Sequence, residues 1–282
     1  MPDLPKQRAP LFDFSASRRA RMRAKAMTGD RFLEAAALEG LIDRLSTVTR
    51  KFENGLWIGE SVPHQIAPFA QNWRCLDFDA QETLVPRAEE RFDLAVSLFS
   101  LQWINDLPGA LVQIRASLKP DGLFLGVLLG GASLQELREA FAQAEIATMG
   151  GVSPRVAPLA DVRDLGSLLQ RAGYALPVSD SERLNVRYSN FQALARDLRL
   201  HGLTNAMSER SRKPLRRATL EALLANYAER HSEGGKLKAS FDMLYLTGWS
   251  PHESQQKPLK PGSAKARLAD ALGTAERLFK EG

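Results

Sequence analysis

Residues 91–131 read RFDLAVSLFSLQWINDLPGALVQIRASLKPDGLFLGVLLGG. The run falls into three pieces. RFDLAVSLFSL is continuously apolar at its centre and short, the pattern of a strand buried on both faces. DLPGALVQIRASL has helical spacing, and LKPDG stops it, because proline and glycine follow the last apolar residue. GLFLGVLLGG is too rich in glycine for a comfortable helix and reads as a second strand. Strand, helix and strand joined by short connections make the unit of a parallel sheet.

The same alternation extends outward. Upstream, GLWIG (55–59) is a short apolar strand ending in glycine. VPHQIAPFAQN (62–72) is expected to form a short helix, its length limited by Pro68. RCLDFDA (74–80) is a strand with acidic residues at its C-terminal end. Before these, residues 18–48 carry Phe32, Leu41 and Leu45 at helical spacing, so a helix or helix pair precedes the first strand. Residues 1–17 hold three prolines and read as an arm.

Downstream, SLQELREAFAQAE (133–145) opens with a capping-box pattern, Ser133 followed by Glu136. DVRDLGSLLQRAG (161–173) is a helix ended by Gly173. YALPVSDSERLNVRY (174–188) is expected to be a hairpin. Two more helices, 190–202 and 216–231, and a long final strand, KLKASFDMLYLTGW (236–249), complete the pattern. The organisation is an arm and basic helical segment (1–50), an α/β core (51–180), and C-terminal helices, terminal strand and basic tail completing the fold (181–282).

Bulk properties narrow the classes. The 282 residues are 44% hydrophobic and 25% charged, ordinary for a globular protein. No apolar run approaches the roughly 18 residues of a membrane span, and no secretory signal pattern opens the chain, so the expected compartment is the cytoplasm. The composition, rich in alanine, leucine and arginine, suits a bacterial source. The single cysteine, Cys75, rules out an internal disulfide and a multi-cysteine metal site. The net charge of +5 is concentrated in RRARMRAK (18–25), RSRKPLRR (210–217) and the tail. Such runs usually solvate helix faces. Read as a site, they suit an acidic protein partner or peripheral contact with the inner membrane. Neither run has the interleaved aromatics of single-strand recognition, so no nucleic-acid partner is expected.

In an open parallel sheet, ligands bind beyond the C-terminal strand ends. The candidate site therefore comprises residues 59–61, 77–81 and 97–103. The block 91–131 resembles the later core of class I S-adenosylmethionine-dependent methyltransferases, with their FDL-type strand, helix, LKPDG-type turn and next strand. Three further stretches narrow the resemblance. These are SLQWINDLPGAL (100–111), GGVSPRVAPLADVRDLGSLLQRAGY (150–174) and GWSPHESQQKPLKPGSA (248–264). Together they are similar to the methyltransferase-fold assembly factors of mitochondrial complex I and their bacterial relatives, a family that also resembles the malonyl-carrier-protein methyltransferases, which lack the GWSPHESQQKP tail. The resemblance implies a Rossmann-like fold with helices on both faces of the sheet. It also implies a role in assembling respiratory complex I, through a subunit of that complex as partner. Its animal members are described as hydroxylating an arginine of such a subunit, whereas the fold implies methyl transfer.

The resemblance implies S-adenosylmethionine as cofactor, held by Gly59, Glu60 and Ser61 after the first strand, by Asp79 and Ala80 at the adenine, and by Ser97. The chain departs from the family pattern there. The expected order is hydrophobic–Asp–hydrophobic–Gly–x–Gly–x–Gly, and here it is Leu56–Trp57–Ile58–Gly59–Glu60–Ser61–Val62–Pro63. Trp57 replaces the acid, only the first glycine remains, and Pro63 takes the third glycine position with no N–H and a fixed φ. Only about 30 residues separate the first strand from RFDL, so one strand–helix unit is missing. Either the second strand and its ribose-binding carboxylate are deleted, or Asp77 or Asp79 is that carboxylate and the third strand is deleted. The first is preferred, because QETLVP falls where the family has an acidic segment before the FDL strand. At about 1–3 kcal/mol for each lost buried polar partner, a micromolar site would become millimolar.

Other chemistry is thinly marked. His64, His201, His231 and His252 show no metal-ligand spacing, and no catalytic residue is identified. Gln102, Trp103, Asn105, Trp249, His252, Ser254 and Gln255 are candidates for the walls of a cleft. The plainer reading makes the tryptophans core aromatics and lets Asn105-Asp106 cap a helix.

Overall fold

The structure is a computed structural model describing residues 9–87 and 89–256. One compact unit ends at Pro251, and a second begins at His252. Seven strands make one sheet: β1 (Phe52–Ile58), β2 (Ala70–Leu76), β3 (Phe92–Leu98), β4 (Leu118–Gly130), β5 (Ala175–Tyr188), β6 (Ser232–Glu233) and β7 (Lys236–Trp249). Their order is β2-β1-β3-β4-β7-β5, with the short β6 on β7. The pairs β1–β2, β1–β3 and β3–β4 are parallel. β7 runs antiparallel between β4 and β5.

Helices cover both faces. α2 (Phe32–Ser46), α4 (Gln135–Met149), α6 (Phe191–Leu200) and α7 (Arg217–Arg230) pack on one face, where Leu41, Leu137, Leu194 and Leu223 meet Val96, Leu125 and Phe241. α3 (Leu107–Ser117) and α5 (Val162–Arg171) cover the other, through Leu111, Ile114, Leu165 and Leu169 against Leu56, Ala95 and Phe124. β3 is buried along nearly its whole length, as its unbroken apolar run requires. The remaining helix, the arginine-rich α1 (Phe14–Lys25), is capped by Asp13, whose carboxylate accepts the Ala16 N–H at 3.0 Å.

Several local expectations are corrected. Residues 62–72 hold no α-helix: a single 3₁₀ turn, Ala67–Phe69, with Pro68 in it, leads straight into β2. The expected hairpin at 174–188 is one 14-residue strand, β5. Its polar centre belongs to the sheet edge, where Asp180 and Glu182 pair with Arg44, and Arg183 with Asp242. The capping box does not form. Ser133 Oγ accepts the Asp242 N–H at 2.8 Å, and Glu136 accepts from Ser240. LKPDG ends α3, but it then forms an irregularity inside β4, where Phe92 pairs with Leu118 and Leu94 with Leu123.

β2 hydrogen-bonds directly to β1, so the strand lacking in space is the outer one. Either remaining strand would pair with β1 once its neighbour is lost, so this pairing fits both alignments of residues 74–80. Asp77 directly follows the C-terminal end of β2, beside β1.

Candidate functional site

The turn after β1 is held to β2 and β3. Gly59 N–H donates to the Leu76 carbonyl at 2.7 Å, and Ser100 Oγ donates to the Ile58 carbonyl at 2.6 Å. Gly59 has φ +148°, and a Cβ there would stand 2.8 Å from Trp57 Nε1. Both facts select glycine. Trp57 is buried, its indole beneath the turn that the family's acid would serve.

A cleft of about 460 Å³ opens over these strand ends, within the range of small-molecule sites. Trp57, Gly59, Glu60, Ser61 and Pro63 line it from β1, Asp77 from β2, and Phe99, Ser100, Gln102 and Trp103 from the loop after β3. Phe99 is held at φ +55°, an uncommon conformation for a bulky side chain and one that clusters at ligand sites. Arg21 and Lys25, one helical turn apart, bring α1 to the same cleft. Arg21 Nη1 lies 3.1 Å from Asp77 Oδ2, and Lys25 pairs with Glu60. The hydrogen bond from Lys25 is the main reason the Glu60 carboxyl titrates below its ordinary range. Glu34, the third carboxylate on the cleft, pairs with Arg31 at 2.9 Å, so all three already have cationic partners.

The arm preceding α1 is stitched down nearby. Asn105 Oδ1 accepts the Phe12 N–H at 2.8 Å, and Asn105 Nδ2 donates to the Phe12 carbonyl at 3.2 Å. The Phe12 ring meets Trp103 edge-on at 5.2 Å, and Arg210 donates to Asp13 at 3.0 Å.

Gly59, Glu60, Ser61, Gln102 and Trp103 thus come together in one cleft. Gln102 is buried and grips the Leu129 backbone with both ends of its amide, at 2.6 and 3.2 Å, fixing the loop after β3. Ser97, Asp79, Ala80 and Trp249 fall elsewhere. Ser97 is fully buried, and strand alternation turns it away from Val96 and Leu98 toward the α3 layer. Asp79 folds its carboxylate onto its own loop, accepting from Gln81 and Thr83. Ala80 lines a separate shallow groove beside Phe12, Glu82 and Asn105. Trp249 pairs with Leu123 of β4, whereas the cleft lies beyond Leu98, the end of β3, which pairs with Val127 further along β4. Because β7 runs antiparallel, its last residue reaches the opposite end of the sheet. His252, Ser254 and Gln255 form a local turn, with His252 Nδ1 2.7 Å from Ser254 Oγ and the His252 N–H donating to Gln255.

Sequence reasoning missed Arg21, Lys25 and His201 as cleft residues. The spacing of Arg21 and Lys25 was a signal, since i and i+4 share a helix face. His201 carried none. Its Nδ1 lies 2.9 Å from the Asp197 carbonyl, and its Nε2 accepts the Leu33 N–H at 3.3 Å. Among the described residues, no cluster of three or more His, Cys, Asp or Glu side chains is placed to hold a metal ion.

A methyltransferase-domain family model matches residues 8–177. The mitochondrial arginine-hydroxylase NDUFAF5 of Danio rerio is 43% identical over 192 residues, covering 68% of this chain and 60% of that protein. The human NDUFAF5 is 41% identical over 204 residues, covering 72% and 59%. The malonyl-[acyl-carrier protein] O-methyltransferase of Gallionella capsiferriformans is 34% identical over 179 residues, covering 63% and 57%. The chain thus spans less than two thirds of the length of these relatives. With its match over residues 8–177 and its β2-β1-β3-β4-β7-β5 sheet, the chain belongs to the methyltransferase-domain family and has the class I fold, one outer strand–helix unit short.

Proposed function

We propose that this is a methyltransferase-fold assembly protein with a weakened cofactor site, which binds or modifies a subunit of respiratory complex I. The observation that carries the weakened site is the engagement of Asp77 by Arg21, with Glu60 held by Lys25 beside it. The cleft has room for S-adenosylmethionine, but the polar partners do not fit it. Trp57 stands in place of an acid, Pro63 offers no N–H, and the ribose-side carboxylate must leave a cation before it can accept from a hydroxyl. No catalytic step is assigned through the cofactor. The assembly role rests on the likeness to NDUFAF5, and the basic face of α1 suits an acidic surface on the partner. No helix among the described residues is long and apolar enough to cross a membrane. Deleting the gene tests the role: complex I level and activity should fall, and normal values would refute it.

One observation favours a second reading, an active methyltransferase. The Gly59 turn and Asp77 keep their places around a cleft of about 460 Å³. On that reading, Asp77 and Glu60 would hold the cofactor once released from Arg21 and Lys25, and the group would supply a methyl for a protein or small acid.

A further inference from the structure

Next to the cleft lies a smaller cavity of about 200 Å³, sharing Gln102, Trp103 and Leu203 with it. Leu134, Leu137 and Phe141 form one wall and Phe191, Ala195 and Leu198 another. A dry apolar cavity of about 150 Å³ holds a benzene-sized guest, so this one suits an apolar group of roughly six to eight carbons. Leu134, at φ +56° on the N-cap of α4, is held there by its N–H bond to the Ser240 carbonyl at 2.7 Å, which fixes that wall.

The charges around the cavity select the guest further. No aspartate or glutamate lines it. Two arginines do, and they differ. Arg155 is already neutralised by the buried Glu145, at 2.7 Å. Arg199 is exposed at the rim, and its side chain has no hydrogen bond or ion pair among the described residues. A cationic guest would lose its hydration against an apolar wall with no counter-charge, whereas an anionic head left at the rim meets Arg199.

We infer that this cavity binds an aliphatic group ending in a carboxylate, chain inward and carboxylate at Arg199, and that it excludes a cationic chain such as an arginine or lysine side chain. The inference does not depend on cofactor binding and is tested without cofactor.

The probes are hexanoate, 1-hexanol and hexylammonium, titrated into the full chain with ¹³C-labelled leucine methyls. Hexanoate should shift the Leu134, Leu137 and Leu198 methyls saturably, with Kd about 1 mM or tighter. It should bind roughly fivefold more tightly than 1-hexanol, the scale of one exposed charge pair, and hexylammonium should bind more weakly than either. Arg199→Gln should remove the preference for hexanoate over 1-hexanol. Ala195→Phe should fill the cavity and abolish binding of both, and the wild-type shift map locates the site even if that variant fails to fold. Hexylammonium binding as tightly as hexanoate, shifts confined to methyls elsewhere, no saturation by about 20 mM, or an unchanged preference in Arg199→Gln would each overturn the inference.

Discussion

Glu145 on α4 has a fully buried side chain. Its carboxylate accepts from Ser153 N–H at 2.6 Å, Ser153 Oγ at 2.6 Å and Arg155 Nε at 2.7 Å. It thereby ties down the segment after α4 that carries Arg155, Val156 and Ala157 to the apolar cavity. Glu145→Ala would leave three donors unanswered, one of them a guanidinium whose side chain is only 18% exposed. Breaking a buried pair by removing one partner costs about 3–5 kcal/mol, and the partial exposure of Arg155 puts the expectation at the lower end, about 3 kcal/mol. For a domain of this size each kcal/mol lowers Tm by roughly 2 °C, so the melting point should fall by about 6 °C. Differential scanning calorimetry reads this directly, with Glu139→Ala on the exposed face of the same helix as control. The double variant Glu145→Met with Arg155→Met removes both charges and should recover most of the loss, because replacing a buried pair by packed apolar groups is often neutral. A drop under about 1 °C for Glu145→Ala, or a double variant worse than the single, would refute the reasoning.

Acid should destabilise the fold in a defined window. Hydrogen bonding by Arg183 lowers the Asp242 pKa, and the bonds from Ser153 and Arg155 lower that of Glu145 against the larger opposing effect of burial. Their stabilisation is present above the unfolded carboxylate pKa of about 4 and is lost as pH falls through the lowered folded values, so Tm should hold from pH 7 to about 5 and drop below about 4. A flat Tm down to pH 3 would contradict this. Gly40→Ala should destabilise despite a better helix propensity, since its Cβ would lie 2.2 Å from Tyr245 Oη, and Tyr245 is buried with the Arg44 guanidinium 3.6 Å from its ring centroid. Overpacking of about 1–3 kcal/mol outweighs a propensity gain near 1, which a lowered urea midpoint would register and a raised one would deny. Asn105→Ala removes both bonds to Phe12 and should speed chymotryptic cleavage near Phe12 and Phe14 by about tenfold, while an unchanged rate would mean the arm is held otherwise.

What was legible in the sequence was what local chemistry controls. FDLAVSL announced a strand buried on both sides, and LKPDG marked where α3 stops. Asp106 does cap α3, accepting the Gly109 N–H at 2.9 Å. What failed depended on distant partners. The polar SDSER of β5 looked like a turn because Arg44, which pairs with Asp180 and Glu182, and Asp242, which pairs with Arg183, come from α2 and β7. Ser133 and Glu136 matched a capping box, but β7 recruits both side chains. Asn105 clasps the arm, 93 positions away in the chain, beside the shallow groove that Ala80 lines. At the site, the lost glycines and acid were readable in the chain, whereas the pairing of α1 with Asp77 and Glu60 was not, because nothing in an arginine-rich run states which carboxylates it will meet.

The measurement that bears most directly on the central claim is calorimetric titration with S-adenosylhomocysteine of the wild type and the Arg21→Ala, Lys25→Ala double variant. Both ion pairs are substantially exposed, so the variant should keep its Tm within about 2 °C. The account predicts no saturable heat below the millimolar range for the wild type, and tighter binding once Asp77 and Glu60 are released. Micromolar binding by the wild type, weakened or unchanged in the variant, would mean that α1 completes a working cofactor site rather than occupying its carboxylates.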